Sequence, residues 1–147
     1  MSEATLQGEA TSKVPWHLWV VGMLSLLWNA AGAYTIVSAQ QGTLADIKPD
    51  EAAYYAAQTG WFVAVTDIAL FGAILAALAL LIRSRWAVTL YAISLAAIIV
   101  TNGYDLAMGT SRMMTNTATI VVTLAIWVLA ALQLWYAWAM KGRGVLH

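Results

Sequence analysis

Leu80-Leu81-Ile82-Arg83-Ser84-Arg85-Trp86-Ala87-Val88 decides how this chain folds. A long apolar run reaches two arginines separated by one serine, and a second apolar run begins at once. A bilayer explains that pattern: two spanning helices joined by a very tight basic turn, held on the cytoplasmic face by its charges.

Composition agrees with that reading. Of 147 residues, 62% are hydrophobic and 10% charged, with a mean hydropathy of +0.74. Soluble domains carry about 25% charged residues. At roughly 20 residues per span, the length suits four helices. Net charge is zero, which gives nucleic acid no electrostatic hold. Cysteine is absent, so disulfides, thiolate metal sites, Fe–S clusters and cysteine nucleophiles are excluded. The two histidines are His17 and His147, which rules against haem held between two intramembrane imidazoles.

Outward from the turn, the expected spans are about 16–38, 59–82, 86–108 and 117–140. The polar segment 1–15 is read as an uncleaved cytoplasmic tail and 141–147 as a second one. Pro15 fits a helix's first turn, where its missing N–H costs nothing. Trp16, His17 and Trp19 suit the headgroup region, as do Trp135, Tyr136 and Trp138 near the end of the last span. Pro49-Asp50-Glu51 looks like a helix start, with acids at the positive end of the dipole, and predicts a short interfacial turn feeding the second span. The expected fold is an all-α integral membrane four-helix bundle. Lys13, Arg83, Arg85, Lys141 and Arg143 fall on one side, Lys48 and Arg112 on the other. That asymmetry places both termini in the cytoplasm.

Two stripes of small residues predict close helix packing: Gly22, Ser25, Asn29 and Gly32 on the first span, Ala69, Ala73 and Ala77 on the second. Polar residues inside hydrocarbon are costly and need a reason. Counted along the helix, Asn29 lies about 20 Å from the basic end, with Asp67 and Asn102 about 24 Å from it. Asp105 is one turn further out, where a solvated helix-end residue is expected. Asn29, Asp67, Asn102 and Asp105 thus form a candidate polar cluster in the outer half of the bilayer. Gln133 counts as remote from them. One reading is a small outward-opening site that binds a polar ligand or carries a proton on Asp67. The preferred reading is interhelical hydrogen bonding by Asp67 to Asn29 or Asn102, with bonds of about 0.6 kcal/mol each that tune the fold.

No metal-ligand spacing, nucleophile–base pair or glycine-rich phosphate loop is visible. His17 has no second ligand candidate near it in sequence. Trp28 and Trp127 lie away from the helix ends and suit packing, lipid, or an apolar pigment-like partner.

The segments Trp16-His17-Leu18-Trp19-Val20-Val21-Gly22, Leu26-Leu27-Trp28-Asn29-Ala30-Ala31-Gly32, Pro49-Asp50-Glu51-Ala52-Ala53-Tyr54-Tyr55 and Leu81–Val88 resemble a family of short four-helix proteobacterial inner-membrane proteins. The resemblance covers residues 16 to 105 and implies the bacterial inner membrane. Some members carry a sugar-transporter label. The family commonly has an aspartate soon after the first helix's glycine, where this chain has Ala33-Tyr34-Thr35, and Asp67 is unusual for it.

The function expected from these residues is a non-enzymatic accessory or structural subunit of a larger inner-membrane complex. It would contact lipid and other membrane polypeptides or further copies of itself, and it needs no cofactor. The alternative is a small oligomeric transporter or channel subunit that uses the polar layer.

Overall fold

The computed structural model describes residues 13–110 and 117–147. The tail before residue 13 and the turn around Arg112 therefore lie outside the described residues. Five helices follow in order: α1 (Trp16–Gln40), α2 (Pro49–Ala56), α3 (Gly60–Leu81), α4 (Trp86–Met108) and α5 (Thr117–Gly142). Among the described residues there is no strand. Four helices, α1, α3, α4 and α5, are long and apolar enough to cross a membrane. The short turn expected before the second span is instead a helix of its own. Pro49 stands at its start with Asp50 and Glu51 in the first turn, while Gln58 and Thr59 leave helical geometry before α3 begins.

The basic end of the bundle is the packed end. Leu18, Ala76, Ala77, Leu80, Ala87, Tyr91, Ala137 and Met140 form a buried cluster that includes Val145 and Leu146. Alanines let α3 lie close to its neighbours, packing most extensively on α4 and next on α1, while α5 leans mainly on α4. At Gly22 a Cβ atom would stand 2.5 Å from Leu81 Cδ2, so glycine is what allows α1 to meet α3 there. Gly72 meets the Ser94 Cα and Cβ of α4 across ordinary contact distance, and the Ser94 hydroxyl donates to the Ala69 carbonyl at 2.7 Å. The alanine stripe Ala69/Ala73/Ala77 is buried inside this one bundle. Gly32 is different: nothing lies within 4 Å of a Cβ placed there, so it does not belong to a packed seam.

The turn that opened the sequence reading is built from backbone caps. Ser84 N–H reaches the Ala79 carbonyl at 2.7 Å and Arg83 N–H the Leu80 carbonyl at 3.0 Å, the pair of bonds that closes a helix through one left-handed residue. In α1 and α5 that residue is Gly42 (φ 68°) or Gly144 (φ 70°); in α3 it is Arg83 (φ 61°). A left-handed non-glycine costs roughly 1–2 kcal/mol. Arginine is retained with a visible compensation: its Nε donates to the Val145 carbonyl at 3.1 Å. His147 N–H donates to the Arg83 carbonyl at 2.9 Å, and Arg85 N–H to the His147 carbonyl at 3.3 Å. Residues 145–147 are therefore docked on the basic turn, where the sequence suggests only a cytoplasmic tail.

Candidate functional site

Toward the α2 end the helices part around a cavity of about 630 Å³, lined by residues of all five helices. That volume lies in the range of small-molecule sites. Asn29, Asn102 and Asp105 line it, and so do Gln133, Tyr91 and Tyr54.

The deep polar group is an amide pair. Asn29 Nδ2 donates to Gln133 Oε1 at 3.3 Å and is 3.4 Å from the Ala73 carbonyl. Helix-end counting places Gln133 far from Asn29, and the structure corrects this. Side chains lean toward the N-terminus of their own helix. Since α1 and α5 run in opposite directions, Asn29 leans toward the basic end and Gln133 away from it, so the two converge. Tyr91, buried at 2% exposure, closes the floor. Its hydroxyl makes no hydrogen bond of good geometry among the described residues, although Ser25 lies beside it.

Asp67 is not part of this site. Its neighbours Thr66 and Leu70 line the cavity while Asp67 does not. Its Oδ1 is buried without a hydrogen-bond partner among the described residues. The expected bonds from Asp67 to Asn29 or Asn102 are not formed. Asn102 Nδ2 instead donates back to the Ile98 carbonyl at 2.8 Å. One residue step on a helix turns a side chain by about 100°, so two groups at one depth need not share a face.

Asp105 is a clasp for α2. Tyr54 donates to Asp105 Oδ2 at 2.6 Å and Thr110 to Oδ1 at 2.7 Å, where the sequence suggests a solvated helix end. Burial, and then the bond to Asp105, push the Tyr54 hydroxyl well above the usual tyrosine range. Burial and the nearby Glu51 carboxylate also raise Tyr55. Lys48 and Glu51 stand at this same mouth.

Around this site hydrogen bonds join α1 to α5. His17 Nδ1 and the Tyr136 hydroxyl share a hydrogen bond near the basic end, and Asn29 meets Gln133 further in. Sequence reasoning missed Tyr54, Tyr91 and Gln133. Only Gln133 carried a signal, as an amide within an apolar span. No family model, curated protein or solved structure matches the chain.

Proposed function

We propose that this protein is a non-enzymatic, multi-pass protein of the bacterial inner membrane that holds a small molecule within its helix bundle, as the binding unit of a small transporter. The cavity carries this reading. It combines ligand-sized volume, a hydrogen-bonding floor at Asn29 and Gln133, and a cover, α2, fixed by Tyr54 and Asp105. The arginines and lysines at the α3–α4 turn and after α5 support cytoplasmic termini through the preference of basic residues for that side. The family resemblance supports the inner membrane. In that frame the cavity faces the outer half of the bilayer.

One observation favours a second reading, an accessory subunit seated against other membrane polypeptides or copies of itself. Only 6% of the most apolar stretch of α5 is buried, against 33% for that of α3, so α5 offers a broad apolar surface.

The test is to purify the chain and its Ile126→Trp variant in mild detergent, extract both, and compare bound small molecules by mass spectrometry. Ile126 lines the cavity, so the larger ring occupies it. A species present in the parent and lost from an equally stable variant is the expected result. Identical extracts would refute the ligand-holding reading, and a second polypeptide in stoichiometric amount would favour the accessory one.

A further inference from the structure

We infer that the occupant is a neutral, membrane-dissolved amphipath, a hydrocarbon chain with one hydroxyl or carbonyl head, which enters sideways between α1 and α5 and rests its head on Asn29 and Gln133. The inference rests on the ligand-holding reading and adds the chemistry and the route.

The head is set by what the floor has left to offer. Gln133 Oε1 is taken by Asn29, which leaves the two Gln133 N–H donors; Asn29 Nδ2 is taken, which leaves its Oδ1 acceptor. The Tyr91 hydroxyl is occluded beneath them, beside Ser25, and offers the head nothing. Both groups are amides, with no ionised group between them. A neutral oxygen head satisfies donors of this kind, whereas a carboxylate or ammonium there would be desolvated without a counter-charge. The body is set by the walls, where Leu70, Ile98 and Ile126 give predominantly apolar surface.

The route is set by exposure. Trp28, Ala31 and Thr35 of α1 and Val122 of α5 line the cavity and are also exposed on the outside of the bundle. The cavity wall along this seam is therefore also the outer surface. Hydrogen bonds join α1 and α5 at Asn29 and on its basic side. Along this seam α1 and α5 pack on each other far less than α1 packs on α3 or α5 on α4. That seam runs along two helices of spanning length, so it faces hydrocarbon, while α2 is clasped across the end that meets water. A molecule dissolved in the bilayer reaches the floor without crossing α2.

The experiment uses the full chain in lipid nanodiscs and a photoreactive diazirine analogue of tetradecanol, with labelled peptides mapped by mass spectrometry. Label is expected at Val122, Ile126 and Ile98. Excess plain tetradecanol should suppress it, and it should be lost in Ile126→Trp at unchanged thermal stability and weakened in Gln133→Leu. Label confined to the outward residues Leu124, Val128 and Leu132 and indifferent to competitor would mean lipid solvation only, and would overturn the inference. Equal labelling by the corresponding tetradecanoate would place the head near Lys48 and overturn its neutrality. Protection of the cavity by glucose but not by tetradecanol would overturn the inference while leaving the ligand-holding reading standing. Absence of cavity label and of competition with every probe would remove both.

Discussion

Asn29 and Gln133, 104 residues apart in the chain, meet side chain to side chain at 3.3 Å across the cavity floor. In hydrocarbon such a bond has no water to compete with, yet measured interhelical bonds average about 0.6 kcal/mol, because the unfolded helices also find partners. Its value here is positional. It holds α5 against α1 where those helices otherwise touch little.

A double-mutant cycle on Asn29→Leu and Gln133→Leu should give a coupling of about 0.6 kcal/mol, and no more than about 1.7 kcal/mol, in reversible unfolding from mixed micelles. Strictly additive effects would mean that the amides act independently.

Gly22 and Gly32 should respond in opposite ways to leucine. At Gly22 the side chain collides with Leu81, and such overpacking costs typically about 1–3 kcal/mol. At Gly32 the space is open, so Gly32→Leu should keep the parent's stability while shrinking the cavity. Thermal unfolding of the two variants in one detergent decides this; a Gly32→Leu loss as large as that of Gly22→Leu would contradict the open geometry.

The α2 clasp should be alkali-sensitive. The bonded form of Tyr54 is the protonated one, and its hydroxyl is held above the usual range by burial and by Asp105. Folded protein thus retains this proton where unfolded chain loses it. The stabilisation is complete below the unfolded value near pH 10 and is lost as pH rises through the folded one. Hydrogen exchange of the α2 amides should be protected up to about pH 10 and increase above it. In Tyr54→Phe the protection should be reduced already at neutral pH, with no alkaline step attributable to this residue. An unchanged α2 profile in that variant would show that the clasp does not hold the helix.

Docking of residues 145–147 predicts that Leu146→Ala destabilises the bundle. Leu146 is 5% exposed and Val145 3%, and full burial of such side chains contributes on the order of 2 kcal/mol. Arg83→Gly should remove the left-handed penalty and the bond to the Val145 carbonyl together, leaving a small net change. Thermal shifts of both variants check this, and a Leu146→Ala protein as stable as the parent would mean that the segment is not docked.

Orientation is testable because the chain has no cysteine. Gly142→Cys, at the basic end, should resist an impermeant thiol reagent in intact cells, while Gln41→Cys, at the other end, should react. The reverse pattern would invert the bundle.

The sequence by itself determined the helices and which four of them are long and apolar enough to cross a membrane. The apolar run before Arg83 and the one from Trp86 read as spans because, in lipid, each helix satisfies its own backbone, so length and hydropathy are local properties. Pro49 with Asp50 and Glu51 likewise marked a helix start. Only the tertiary structure decided which polar groups share a site. Depth follows from counting residues, but the direction a side chain faces changes by about 100° per step and depends on how each helix is packed. Asn29 and Asp67 were therefore equally good candidates in sequence, yet Asn29 lines the cavity and Asp67 does not. Gln133 joined it because antiparallel helices lean their side chains toward each other. The clasp of Tyr54 on Asp105 and the docking of Val145 and Leu146 on the basic turn are contacts between segments distant in the chain, and no local pattern encodes them.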